Sequence, residues 1–494
     1  MSILDPNIRS FSRLENLIPR PVMIKTGKEC SFLSPEVVID YEQGNQSLDF
    51  IADYLKKALF FSFVGASCAD QKHRIGKIKF QLKENQSGSS NEDYQLKIEE
   101  NQIILVGSTD RGIFLGVQTL LQLVEHMPEG SPGISLPQCE IVDTPRFSWR
   151  GVMLDVARHF FPPADIRRVI DLMARYKLNT LHLHLTDDQG WRIEINTWPK
   201  LTEIGGQTEV GGGKGGYYSQ AEYADLVLYA QDRYITIIPE IDMPGHTNAA
   251  LASYPELNKT KSAPDLYTGI EVGFSSLDID NPLTYEFVND VIRELASLTP
   301  GPYIHIGGDE AKSTKLEDYG PFIERIQGIV NQHGKRMIGW QEIAQSRLAS
   351  GSIVQYWTDD SKMSTLPEGV NIIMSPARRA YLDMKYDQDC QLGLNWAGYI
   401  NLQDAYSWDP ETYLDIIQPG NILGLEAPLW SETLETIADI EFLMFPRLLA
   451  YSEIGWSKNA KGDFTEFQHR VAKQNNLLER QQVNYYRSKL VDWS

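Results

Sequence analysis

From Ser148 onward the chain keeps one rhythm: an apolar, β-prone run, a polar end and, in several cases, a helical pattern. Eight such runs can be counted, at residues 151–156, 180–185, 235–241, 303–306, 336–340, 353–357, 372–374 and 422–425. Short buried runs separated by helical stretches read as parallel strands with crossover helices, and eight is the number that closes a (β/α)8, or TIM, barrel. Ile166, Val169, Ile170 and Met173 stand at helical spacing after the first run, and Ser219 with Glu222 makes a capping box ahead of residues 223–230. After the sixth and seventh runs the helical pattern is weak. The seventh is followed by a segment rich in Gly, Asn, Trp and Tyr, 383–407, which reads as a long active-site loop, so a somewhat irregular α/β barrel is expected.

What each run ends in narrows the chemistry. In order the ends carry Asp155 with Arg158 and His159, Asp187 with Asp188, Asp242 with His246, Asp309 with Glu310, Trp340 with Glu342, Trp357 with Asp359, Tyr381 with Asp383, and Trp430 with Glu432. In a TIM barrel these ends meet at one mouth, where the loops carry the chemistry. Tryptophans stack on the apolar faces of pyranose rings and carboxylates grip hydroxyls, so this mouth suits a sugar. The fourth end, GPYIHIGGDE at 301–310, places two acids side by side. Neighbouring side chains of a regular strand face opposite ways, so Asp309 and Glu310 can share a pocket only if Gly307 and Gly308 let the backbone bulge or twist.

The rest of the composition fits such a reading. With 494 residues, 42% hydrophobic and 23% charged, the chain is long enough for a large barrel and a smaller domain. Its formal charge of -20 argues against nucleic acid or anionic membrane as a partner. Cys30, Cys68, Cys139 and Cys390 are far apart and form no zinc-type cluster, so neither disulfides nor a structural metal is implied and no cofactor is expected. With no basic-then-apolar leader and no apolar run of membrane-spanning length, a soluble, cytoplasmic protein is expected; a homodimer is compatible with this reading.

Residues 1–145 read as a separate small α+β unit. Strand-like runs stand at 37–39, 78–82, 94–98 and 103–106, with the polar cluster 85–91 among the turns, and helical stretches at 47–59 and 110–124. The Gly/Pro-rich segment 128–137 precedes a domain boundary placed before Pro145. The barrel then takes 146–460, and 461–494 hold an amphipathic helix, 464–478, packed against its outside.

The motifs LDVARHF (154–160), HLHLTDDQGWR (182–192), PEIDMPGH (239–246), HIGGDE (305–310), GWQE (339–342), YLD (381–383) and LWSE (429–432) resemble those of the β-N-acetylhexosaminidases of glycoside hydrolase family 20. The resemblance covers most of 148–455, and the amino-terminal unit is similar to the small domain that precedes the barrel in many members. It implies an exo-acting retaining enzyme that removes a terminal β-linked N-acetylglucosamine or N-acetylgalactosamine from a glycan or glycoconjugate. The family is among the substrate-assisted exceptions to the two-carboxylate scheme, so the nucleophile belongs to the sugar. By this resemblance the 2-acetamido oxygen attacks C1 while Glu310 protonates the departing oxygen, and Glu310 then deprotonates the water that opens the oxazolinium ion. Asp309 holds the acetamido N–H and offsets positive charge, and Tyr381 donates to the acetamido oxygen. Trp340, Trp357 and Trp430 wall the pocket, Trp396 offers a platform to the next residue, and Arg158, Asp383 and Glu432 bind the ring hydroxyls. Asp187 and His246 form a hydrogen-bonded chain to Glu310.

Two other readings compete. His182 and His184, with His246, His305 and Asp309, suggest a metal-dependent barrel hydrolase, although both histidines lie inside the second run, before its acidic end. A non-catalytic glycan binder is the third reading; it has no need of an acid such as Glu310 at the scissile oxygen. His159 reads as a packing residue. Glu194, between Ile193 and Ile195, reads as plain strand alternation and is given no role.

Overall fold

The computed structural model describes residues 13–63, 73–83, 90–125, 134–358, 363, 366–458 and 463–493. Cys68 and Asp359 lie outside these residues, as do most of the 85–91 cluster and the first part of the 128–137 segment.

Five strands build the amino-terminal unit: β1 (Met23–Asp40), β2 (Arg74–Leu82), β3 (Tyr94–Ile98), β4 (Gln102–Gly107) and β5 (Ile134–Asp143). Their order is β1-β2-β4-β3-β5, and β1 pairs with β5 over its first part and with β2 over its last, so the sheet closes on itself. Two helices, Gln46–Phe63 and Asp110–Glu125, pack on it. Two expectations need correction. The strand expected at 37–39 is the end of an 18-residue strand, and a strand not expected, β5, begins within the Gly/Pro-rich segment 128–137, with Pro137 inside it.

All eight runs of the second unit are strands: β6 (Trp149–Asp155), β7 (Thr180–His184), β8 (Thr236–Glu240), β9 (Tyr303–His305), β10 (Arg336–Trp340), β11 (Ile353–Tyr356), β12 (Asn371–Met374) and β13 (Ile422–Leu429). Each pairs in parallel with its neighbour, and β13 pairs with β6 to close the barrel. Helices such as Pro163–Arg175, Pro282–Leu298 and Leu316–Gln332 cover its outside with one apolar face each. Residues 383–407 are largely irregular, with one short helix, Leu402–Tyr406, at the end. The expected helix at 464–478 is two, Phe464–Lys473 and Asn475–Arg480. Residues 193–195 make one bridge, Ile193 to Tyr218, and no strand, while Glu194 accepts from the Gln220 backbone N–H. Among the described residues no helix is long and apolar enough to cross a membrane.

Inside the barrel the strand period of two sorts the side chains into layers. Trp149, Ile238, Ile338, Ile353 and Ile373 form one apolar cluster. Two residues further along β8, β10 and β11 come Glu240, Trp340 and Gln355, all buried and joined with residues of β7, β9 and β13 in a polar layer. The mouth lies beyond that layer.

Buried charges fasten the two units together. Lys177 is 1% exposed, with Nζ 2.9 Å from Asp143 Oδ2 and 2.7 Å from Tyr94 Oη, and Arg150 donates to both oxygens of Glu92. Removing one partner of such a pair strands the other in a dry interior. Lys177→Ala is expected to destabilise the protein by about 3 to 5 kcal/mol, measured by denaturant unfolding; a change as small as that of an exposed lysine would show that the pair contributes nothing.

Candidate active site

The fourth strand end solves its geometric problem with two glycines. Gly307 and Gly308 have φ of 65° and 95°, conformations that side chains other than glycine's rarely adopt. A Cβ on Gly307 would stand 1.8 Å from Asp242 Oδ1, so the close approach of β8 and β9 also demands glycine there. Glu310 itself has φ 43°, and after this double turn both acids point into one cavity.

That cavity has a volume of about 330 Å³. Eleven of the twelve residues expected at the site line it: Arg158, His246, Asp309, Glu310, Trp340, Trp357, Tyr381, Asp383, Trp396, Trp430 and Glu432. The twelfth, Asp187, stands behind His246, its Oδ1 3.2 Å from His246 Nδ1. Three apolar residues were not anticipated: Ile270, Val272 and Leu394. They carry no motif; Leu394 lies in the expected active-site loop 383–407, whereas the loop of Ile270 and Val272 could be placed only in three dimensions.

The aromatic residues form a box. Trp357 and Tyr381 lie nearly parallel at 6.5 Å, Trp396 stands edge-on to both, and Trp340 and Trp430 meet at 5.7 Å. Trp340 Nε1 donates to Glu240 and Trp357 Nε1 to Glu342, so two of the indoles are fixed by hydrogen bonds. Trp396 is 54% exposed and projects at the rim.

Charge is arranged in two groups. Arg158 is held by Asp187 Oδ2 at 2.8 Å and lies over the Trp430 ring at 4.8 Å. Burial opposes its charge, but Asp187, Asp155 and Glu432 outweigh that and raise its pKa. Asp383 is pushed well above the usual carboxylate range by burial and by Glu432, and Glu432 is raised by burial against the pull of Arg158. Both Asp383 oxygens, Glu432 Oε2 and Arg158 Nε are buried without a hydrogen-bond partner among the described residues. Buried polar atoms of this kind are rare unless ordered water or a ligand serves them. A set of donors and acceptors at one end of an aromatic box suits several hydroxyls on a small ring.

The second group surrounds the paired acids. Asp309 is 8% exposed, with Oδ1 also unpartnered, while Glu310 reaches further toward solvent and lies 3.3 Å from Lys312 Nζ. Burial and the neighbouring Asp309 push the Asp242 carboxyl well above its usual range. His246 is opposed by burial but raised well above its ordinary value by Asp187 and Asp309, and it is an imidazolium at neutral pH. The hydrogen-bonded chain expected to reach Glu310 stops short. His246 Nε2 is 3.7 Å from Asp309 Oδ2 and 3.8 Å from Glu310 Oε2, beyond hydrogen-bond reach of either, because the left-handed turn at Glu310 carries its carboxylate outward.

His159 bridges two strand ends through Ser431, its ring Nδ1 2.6 Å from Ser431 O, and keeps its packing role. Arg192 and Arg447 went unremarked in the sequence. Arg192 donates to five backbone carbonyls, including those of Val156 and Ala157 just before Arg158. Arg447 grips Leu382 O and Met384 O on either side of Asp383. A guanidinium has five donors and suits this clamping, but carbonyl partners leave no sequence pattern.

His182, Glu240 and His305 are one group whose ligand atoms come close enough for a metal ion, and Asp242, His246 and Asp309 are another. In the first, the imidazole rings of His182 and His305 lie 4.5 Å apart with 32° between their planes. Their nitrogens are taken up by carboxylates: His182 faces Glu240 and Glu426, and His305 Nδ1 faces Glu240. In the second, His246 Nδ1 is already taken up by Asp187 Oδ1. Activity is expected to survive dialysis against a strong chelator; a loss restored by zinc would overturn this.

Comparison with known proteins agrees with this geometry. The family model for the glycosyl hydrolase family 20 catalytic domain matches residues 147–459, and that for domain 2 of the same family matches 15–144. A β-N-acetylhexosaminidase of Cellulomonas fimi is 37% identical over 97% of both chains. The solved family 20 β-N-acetylhexosaminidase of Streptomyces coelicolor A3(2) superposes with a TM-score of 0.90 at 41% identity, covering 97% of this chain and 99% of its own. That of Streptomyces plicatus N-acetyl-β-hexosaminidase in complex with Thio-NAglucal gives 0.90 at 43%, covering 97% and 98%. With its barrel and its amino-terminal unit both matched, and its paired acids at the barrel mouth, the chain belongs to glycosyl hydrolase family 20 and is a glycoside hydrolase.

Proposed function

We propose that the enzyme removes a terminal, non-reducing, β-linked N-acetylhexosamine with retention, the sugar's own acetamido group acting as nucleophile. The observation that carries the reading is the placement of Asp309 and Glu310 on one side of an aromatic box, with Asp309 Oδ1 unpartnered at the wall and Glu310 nearer the opening. Glu310 gives its proton to the departing oxygen as the acetamido oxygen closes on C1. Asp309 accepts the acetamido N–H and offsets the positive charge of the oxazolinium ion, and Tyr381 donates its O–H to the acetamido oxygen. Glu310 then takes a proton from the water that opens the ion. Trp340, Trp357 and Trp430 enclose sugar and acetamido group, and Arg158, Asp383 and Glu432 bind the ring hydroxyls, which limits cleavage to the chain end. Support comes also from relatives named as hexosaminidases and from a neighbour solved with the product GlcNAc. A reducing compartment belongs to this reading, supported by Cys30, Cys139 and Cys390 as buried free thiols.

Assay on paired chromogenic β-N-acetylglucosaminide and β-glucoside tests it. Turnover of the first with none of the second is expected, and equal rates would overturn the acetamido mechanism. Arg158→Ala is expected to lower kcat/KM by roughly 10- to 150-fold, the equivalent of losing a charge-assisted hydrogen bond of about 1.5 to 3 kcal/mol. An unchanged kcat/KM in folded protein would place Arg158 outside the working pocket.

A further inference from the structure

The proposed chemistry leaves a cluster of buried ionisable groups in the barrel interior without a task. At its centre is Glu240, fully buried at the end of β8. Oε1 accepts from Trp340 Nε1 at 2.9 Å and lies 2.9 Å from His305 Nδ1. Oε2 lies 2.5 Å from His184 Nδ1 and 3.0 Å from His182 Nε2. His184 continues the line outward: its Nε2 is 2.9 Å from Asp187 Oδ2, and Asp187 Oδ1 meets His246. A second carboxylate, Glu426, is served separately by Trp149, Gln355 and His182 Nδ1.

His184 therefore faces a carboxylate at each ring nitrogen, and only the imidazolium can donate to both. Burial opposes that charge, yet Glu240 and Asp187 raise its pKa to about 10. Burial opposes the charge of Glu240, but the surrounding histidines hold its carboxyl well below the usual range; burial lowers His305 itself, so the cationic partners are His184 and His182.

We propose that Glu240 is a positioning residue for the active site: one oxygen fixes Trp340 in the pocket wall, and the other holds His184 as the imidazolium that orients Asp187 and, through it, His246. The inference rests on the pocket being the catalytic site. It adds to that reading a carboxylate that never meets substrate.

The test exploits charge. Glu240→Gln keeps an acceptor for Trp340 but removes the negative charge. The groups then left around His184 are His182 on β7, His305 on β9, Glu426 on β13, Asp187 with Arg158 on the same oxygen and His246 on the other, and Asp242 beyond β8. Of these, Asp187 alone bonds His184 directly, so the pKa of His184 falls toward neutrality. Wild-type His184 keeps its proton until the pH rises through about 10; in the variant the proton is lost at lower pH. On a chromogenic N-acetylglucosaminide kcat is expected to drop about tenfold at pH 8 with KM changed less than about threefold, and most of the loss to be recovered near pH 5.5. Adding His184→Asn should abolish the recovery. A loss equal at every pH, or wild-type kcat throughout, overturns the proposal. Should Glu240→Gln fail to fold, His184→Gln replaces it, and an unchanged kcat there overturns the proposal equally. An inactive wild type would remove the functional reading and this inference together, whereas an active wild type with a pH-independent loss removes this inference alone.

Discussion

Glu310→Gln is expected to lower turnover of an oligosaccharide by roughly 10² to 10⁴ while leaving substrate binding largely intact. The amide has the shape of the acid and no proton to give, so the loss should grow with the basicity of the leaving group. A nitrophenolate leaves without protonation and a sugar alkoxide does not. The comparison therefore separates an acid from a binding residue: a variant that loses both substrates equally has lost position, not proton transfer. The turn around Gly307 and Gly308 makes this test sharper. It presents Glu310 at the opening while Asp309 stays against the wall, and an amide at 310 disturbs neither φ nor packing. Near wild-type activity on a natural oligosaccharide would remove Glu310 from the acid's role.

The barrel was legible because its strands are buried on both faces and end in polar residues. Runs such as 180–185 and 336–340 then stand out as short apolar blocks with an acid or tryptophan just beyond them. The amino-terminal strands were harder. The first half of β1 is exposed and rich in lysine and glutamate, so it lacks an alternating pattern, and β5 is disguised by Pro137. That proline sits beside the register shift between Thr26 and Cys30, where the ladder is already irregular. The break at Gln474 is invisible to periodicity, since it is a tertiary effect: the Gln474 amide donates to Asn16 O and accepts from Tyr176.

At the site, the residues that face the cavity announced themselves by type, and those that hold them did not. Glu240 lies inside the run 235–241 and Glu426 just past the run 422–425, and nothing short of the closed barrel shows three histidines converging on the first and His182 reaching the second. Arg192 and Arg447 were silent for the complementary reason, since their partners are carbonyls. The same blindness produced the one error of geometry. A chain from Asp187 through His246 to Glu310 is what the family resemblance implies, and only the three-dimensional structure shows the gap of 3.8 Å.

Asp309→Asn is expected to abolish most of the advantage of a transition-state mimic while sparing product binding. A thiazoline carrying the bicyclic shape and charge of the oxazolinium ion should bind the wild-type enzyme far more tightly than N-acetylglucosamine does, because the pocket is complementary to the intermediate. Asp309 is the group placed to supply that charge, since it lines the cavity with Oδ1 unpartnered among the described residues. Asparagine at 309 still accepts a hydrogen bond from the acetamido group but offers no negative charge, so affinity for the thiazoline should fall by roughly 10² or more and affinity for the product by less than about tenfold. Equal losses for the two ligands would mean that Asp309 merely holds the acetamido group. The opposite mechanism leaves a different trace: if Asp309 attacked C1 itself, a 2-fluoro sugar would accumulate as an ester on that side chain. Mass spectrometry of the intact protein after such incubation is expected to show no added glycosyl mass, and an adduct mapped to Asp309 would replace the sugar's acetamido group by the protein's carboxylate as the nucleophile.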